Sequence, residues 1–433
     1  MKKILLLVIV FPFFALAQNH ISGTLSPKGK FKQAFLYQVT PKYPAYISYK
    51  NVSDEGRVEI PLEENLSSGM YRLVFGIPQD EYYFDFIYNG SEDITFEYKM
   101  GEGVTFLTSE ENIMLQEYNQ RADEAKAMLQ EVFKPDVSKE TFFTVFKAIE
   151  AVQDTYEKQS EGLIAHQFIK TGRIPMPEKQ LSAKEYLALE KHNFFNHIDF
   201  SNSVLQHSDY LINAATIYVY RFADKNDNNA YKQNIDFIAT EIGENAVLKK
   251  TIFESLWEDF SSEENTEVAN YIADSYLLKL AEAYGDQKLI AKINSFQKTG
   301  MGAKAPNFNL GNGKSLHELS DANHYLLIFW SSTCSHCLKE IPEVKLFLEK
   351  QNMDASKLQV VAFGLEDDAN PWKDNIKEYP EFIHVFGSGK WDNQTAVEYS
   401  IVATPTYFLL NGDKKIIAKP ETLEALKNEI EKL

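Results

Sequence analysis

Cysteine is almost missing from this chain, with two residues in 433. That argues against a disulfide-stapled scaffold. It also argues against structural zinc, which wants four ligands and finds no second cysteine pair here. Basic residues are short as well. Lys and Arg number 44 against 62 Asp and Glu, a formal net charge of −18. A phosphate backbone is held by clustered cations, so nucleic acid is not an expected partner. Long apolar runs are scarce too. The longest, "ILLLVIVFPFFALA", has about 14 residues against the roughly 20 that span a bilayer. His166, His192, His197 and His207 show no metal-ligand spacing, and no repeat period emerges.

What stands at the N-terminus is a basic "MKK", that apolar run, and the small-x-small site Ala15-Leu16-Ala17. This reads as a secretory signal peptide over residues 1–17, cleaved near Ala17/Gln18. The expected product is exported and periplasmic, without a stable membrane anchor after cleavage. No cysteine follows the cleavage site, so a lipid anchor is not indicated.

The mature chain reads as multidomain. Residues 18–107 alternate apolar with polar ("AFLYQV", "YRLVF", "YYFDFIY", "DITFEY") between turn signals, which predicts an antiparallel β-domain, a sandwich. Residues 108–297 change period. Leu115, Tyr118, Ala122, Ala125, Leu129 and Val132 recur at three and four, the mark of one helix face. A central all-α region of eight or so helices is expected, one of them ending at Gly285. The Gly-containing stretch 298–306 reads as a linker. From 307 to 433, apolar strands ("YLLIFWSS", "LQVVAFGLE", "FIHVF") alternate with helical segments, and "TPTYFLL", Asn411-Gly412 and "KKIIA" suggest a hairpin. This is an α/β domain with a mostly parallel sheet.

Both cysteines lie in that last domain, in "WSSTCSHCLKEIP". A bridge between Cys334 and Cys337 closes too short a loop to constrain the unfolded chain much. It is better suited to exchange, in which one thiolate attacks a disulfide and a second thiol resolves the mixed disulfide. Cys334 falls where the apolar strand gives way to a helix starting near Ser335. Unpaired N–H groups and the helix dipole there favour a thiolate. Cys334 is therefore the expected nucleophile and Cys337, one turn on and more buried, the resolving thiol. His336 between them can stabilise the reduced form, which makes a disulfide more oxidising. Haem attachment requires His where Leu338 stands, and the peroxidase pattern lacks its upstream proline.

Several pieces in order make the last 130 or so residues resemble the thioredoxin fold of TlpA/ResA-like exported thiol–disulfide oxidoreductases. "APNFNL" with "GKSLHEL" resembles the opening segment, and "LLIFWSSTCSHC" the first core strand and motif. Pro342 resembles the proline of the active-site helix, and "VATPTYFLLNGD" the cis-proline segment. The resemblance implies a cis Thr404–Pro405 bond facing Cys334, with Thr404 offering its backbone to a substrate strand. Trp330 becomes a platform beside the site. Ile328 stands where thioredoxin carries a buried Asp, and Glu340, three residues past Cys337, is the candidate proton acceptor. The implied partners are protein thiols or disulfides and an upstream redox protein. No cofactor and no metal are expected. A second reading remains open, in which the front 280 residues hold one dedicated client.

Overall fold

The computed structural model describes residues 19–40, 44–63 and 66–433. The expected signal peptide over 1–17 lies outside them. Packing divides the chain into two compact units, one ending at Ile252 and one running Phe253–Leu433. The division falls inside the helix Ala246–Ser262, not at the composition change over 298–306. That stretch is tied down. Gly302 and Ala305 donate backbone N–H to Ile416 and Lys414 at 2.8 and 2.9 Å, and Ile416 donates to Ala303 at 2.9 Å.

In the first unit the strands are β1 (His20–Ser26), β2 (Gln33–Gln38), β3 (Ala45–Asn51), β4 (Arg57–Pro61), β5 (Gly69–Val74), β6 (Tyr83–Tyr88), β7 (Ile94–Lys99) and β8 (Gly103–Phe106). They form two four-stranded sheets, β4-β1-β7-β8 and β3-β2-β5-β6. The alternation has its expected cause: Ile21, Leu36, Ile60, Leu73, Phe84 and Phe96, from both sheets, share one core. The reading of this domain as antiparallel needs one correction, because β1 and β7 pair in parallel. They are joined by the whole of the other sheet, so no short turn forces them antiparallel. Gly23 in β1 permits that pairing: a Cβ there would sit 2.1 Å from the Phe96 carbonyl oxygen.

The helical stretch holds twelve α-helices, more than the eight or so expected, because several are one or two turns long. The predicted apolar stripe breaks at Met128. Tyr118, Ala122 and Ala125 are buried on Glu110–Ala127, while Val132 belongs to the separate helix Leu129–Val132. Asn112 fastens the first of these helices to β6, its side chain bonding both the N–H and the carbonyl of Ile87 at 2.7 Å. Gly285 takes the left-handed conformation (φ 64°) just past the helix Leu278–Ala283. No helix among the described residues is long and apolar enough to cross a membrane.

The second unit contains β9 (His324–Trp330), β10 (Leu358–Glu366), β11 (Ile383–Ser388), β12 (Thr406–Asn411) and β13 (Ile416–Ala418), in the order β11-β10-β9-β12-β13. β9, β10 and β11 run parallel; β12 is antiparallel to β9, and β13 to β12. β9 and β10 are continuous apolar runs because both faces are covered. Leu327, Phe329, Val361 and Phe363 face one core, with Tyr399 and Phe408. Leu326, Ile328, Trp330, Val360 and Ala362 face the other, with Ile341 and Val344 of the helix Ser335–Lys350. The β12–β13 connection is wider than a two-residue Asn-Gly turn. Asn411 Oδ1 accepts the N–H groups of Asp413 and Lys415, and Lys414 takes the positive φ of 65°.

Candidate functional site

β9 ends at Trp330, and the chain turns through Ser331, Ser332 and Thr333 into the helix Ser335–Lys350. Cys334 is the N-cap residue of that helix, in extended conformation (φ −89°, ψ 116°). Its sulfur does what a capping oxygen does elsewhere, accepting the Cys337 N–H at 3.4 Å. The same thiol donates to the Thr404 carbonyl oxygen at 3.3 Å. The Thr404–Pro405 peptide is cis. Residues 70 apart in sequence are thus in contact. Cys334 is half-buried, Cys337 fully buried, and both are free thiols.

The two thiols are driven apart in acidity. Burial works against charge on Cys334. Hydrogen bonds from the Cys337 thiol, the Thr404 side chain and the N–H groups of Cys337 and His336 outweigh it, and the thiol lies below its ordinary value. Burial pushes Cys337 up to about 12, assisted by its hydrogen bond to Cys334. One group is thus suited to attack at neutral pH and the other to wait as a protonated donor.

The remaining predicted residues fall at different distances from this pair. His336 is exposed and its ring makes no hydrogen bond among the described residues; its backbone N–H is the part that serves the sulfur. Glu340 is half-buried and accepts the Tyr407 hydroxyl at 2.8 Å. Tyr407 is itself buried and held far above its ordinary value, first by burial, then by Glu340, and further by the two nearby thiols. Trp330 needs a correction. At 1 % exposure it packs with Cys337 and Ile341 in the core, so it presents no platform to a substrate. Being the last residue of a strand covered on both faces, it has no open side.

Two contributors are not visible from residue type alone. Tyr407 lies two positions past Pro405, where strand alternation turns its side chain toward the helix Ser335–Lys350. Glu366 ends β10, where the β9–β10 pairing of Gly364 with Trp330 puts it level with Ser332. An acidic residue at the carboxyl edge of a parallel sheet was the available signal.

Residues 323–416 match a protein-family model, Thioredoxin_8, described as thioredoxin-like. The C-terminal domain is thioredoxin-like. Over 107 residues the chain is 34% identical to the sporulation thiol-disulfide oxidoreductase A of Bacillus subtilis. That match takes in 24% of this chain and 63% of the relative, less than two thirds of its length. Among solved structures, a thiol-disulfide oxidoreductase from Bacteroides fragilis is 27% identical, covering 30% of this chain and 98% of that one, with a TM-score of 0.27. A thioredoxin-like protein from Bacteroides caccae is 18% identical and covers 60% of this chain and 97% of that one, with a TM-score of 0.42.

Proposed function

We propose that this protein is an exported thiol–disulfide oxidoreductase of the TlpA/ResA type, acting on protein substrates through Cys334 and Cys337. The observation that carries the reading is the split between the two thiols: one half-exposed N-cap sulfur with lowered pKa, one buried sulfur raised to about 12. In the reducing direction the Cys334 thiolate attacks one sulfur of a client disulfide. A Cys334–client bond forms, and the client's other sulfur leaves as a thiolate and takes a proton. Cys337 then loses its proton and attacks the Cys334 sulfur. The Cys334–Cys337 disulfide forms and the client leaves as a dithiol. Two electrons have passed from protein to client, and an upstream thiol partner returns them. Run backwards, the same steps oxidise a client.

In this reading Glu340, with Tyr407 bonded to it, takes up the Cys337 proton, and the Thr404–Pro405 segment lines up an extended client chain. Residues 18–107 supply a β-domain and 108–297 a helical region ahead of the thioredoxin-like domain at 307–433. The signal peptide delivers the protein to the periplasm. The deciding experiment is reduction of insulin by the mature protein with dithiothreitol as electron source, run beside capture of mixed disulfides by Cys337→Ser. Turnover of insulin well above the dithiothreitol background supports a general oxidoreductase. A single captured protein with no insulin turnover supports a dedicated client. A mature protein that neither reduces insulin nor captures any mixed disulfide overturns the reading.

His336 supplies a smaller test. If its imidazole stabilises the thiolate, His336→Gly lowers the reduction potential measured against glutathione, by about 30 mV for a tenfold change in the equilibrium constant. A shift toward a more oxidising couple would show that the imidazole does not stabilise the thiolate, and an unchanged potential would leave the backbone N–H as the residue's whole contribution.

A further inference from the structure

Glu366 is a buried carboxylate that the exchange steps above do not use. It is 1 % exposed at the end of β10. Burying a carboxylate is costly unless it is hydrogen-bonded, and its partners here all belong to the turn that delivers the nucleophile. Oε1 accepts the Ser332 N–H at 2.5 Å, and Oε2 accepts the Ser331 hydroxyl at 3.3 Å. The Ser331 hydroxyl oxygen in turn accepts the Thr333 N–H at 3.3 Å, and the Ser331 carbonyl accepts the Cys334 N–H at 3.1 Å. The Glu366 carbonyl also accepts the Gly389 N–H at 3.1 Å, which draws in the end of β11. The charged neighbours are Asp367 and Lys390, paired with each other at 2.9 Å, with Lys390 also feeling Glu366.

Resting on the oxidoreductase reading, we infer that Glu366 is a positioning residue: its carboxylate fixes the Ser331–Thr333 turn so that the Cys334 sulfur is held against its N–H donors. Position and charge make opposite demands, which allows a decision between them. Loss of position weakens the hydrogen bonds that favour the thiolate, so Cys334 reacts more slowly below its midpoint pH. Loss of a nearby negative charge alone favours the thiolate, so Cys334 reacts faster. The preceding strand supplies no substitute, because Ile328 is apolar and buried.

The test is the pH dependence of iodoacetamide labelling at Cys334 in the reduced full-length mature protein, read by peptide mass, with a thermal melt of each variant. Glu366→Ala should label about threefold or more slowly than wild type on the acid side, because only the thiolate reacts. Glu366→Gln keeps an oxygen for the Ser332 N–H while removing the charge, and should stay within about twofold of wild type. Unchanged or faster labelling in a folded Glu366→Ala overturns the inference, and faster labelling in both variants shows that charge is what matters. Should Glu366→Ala not fold, Ser331→Ala removes the hydroxyl end of the same contact without opening the core. It must then label more slowly, and unchanged labelling overturns the inference. Labelling needs no client. A wild-type protein that never exchanges with glutathione or insulin therefore sinks the functional reading separately.

Discussion

Cys334→Ser is expected to reduce exchange with insulin and with glutathione to the buffer background, whereas Cys337→Ser is expected to stall after the first step and accumulate mixed disulfides. The asymmetry follows from which sulfur a client can reach. Cys334 is half-buried at the helix tip beside Thr404, and Cys337 is fully enclosed among Trp330, Ile341 and Tyr407. With serine at 334 no accessible sulfur remains. With serine at 337 the covalent client has no internal thiol to displace it and persists until an outside thiol arrives. Serine in that enclosure buries a hydroxyl, at a cost of about 1–3 kcal/mol unless it finds a partner. The melt of Cys337→Ser should be checked before its trapping is scored. Non-reducing gels of both variants after incubation with an oxidised client separate the outcomes. Trapping by Cys334→Ser, through Cys337, would reverse the assignment of nucleophile.

Much of this site was legible without coordinates because the relevant signals are local. A continuous apolar strand followed by Cys-x-x-Cys places one sulfur at a helix N-terminus by geometry alone. The facing Thr404–Pro405 segment, by contrast, was expected only through the resemblance to the thioredoxin fold. The missed parts depend on register between elements distant in sequence. Glu366 meets Ser332 only because β10 pairs with β9 so that Gly364 lies opposite Trp330. Glu340 is a candidate through the resemblance, but its bond to Tyr407 needs β12 to lie beside β9, opposite the active-site helix. Trp330 was misplaced for a related reason. Its position next to the motif suggested exposure, while its position at the end of a doubly covered strand buries it. In the first unit, alternation was sufficient to show two half-buried sheets. It carries no information on direction, so the parallel β1–β7 pair could not be seen. The division inside Ala246–Ser262 was hidden because helical periodicity continues across it.

The second large effect is in labelling selectivity. In the reduced protein at pH 7, iodoacetamide should modify Cys334 nearly to completion before Cys337 reacts measurably. Cys334 lies below its ordinary value of about 9, while Cys337 is pushed up to about 12. Each unit is tenfold in thiolate population below the midpoint, so Cys334 holds an advantage of more than about a thousandfold. Intrinsic nucleophilicity works the other way, since a more acidic thiol gives a weaker nucleophile. With a Brønsted coefficient of about 0.4–0.5 this returns roughly half of the advantage on a logarithmic scale. A preference on the order of thirtyfold survives from acidity alone, and complete burial of Cys337 adds to it. Raising the pH should increase the Cys334 rate only up to its midpoint, whereas any Cys337 labelling should keep rising into strongly alkaline solution. A second signature lies in the coupling. The Cys337 side chain is the foremost influence lowering the Cys334 thiol, so Cys337→Ala should move the Cys334 midpoint upward, while Cys337→Ser, which retains a hydroxyl there, should move it less. Peptide mass spectrometry over a pH series reads both. Equal labelling of the two cysteines at pH 7, or a downward midpoint in Cys337→Ala, would show that the helix tip and its hydrogen bonds do not control this thiol.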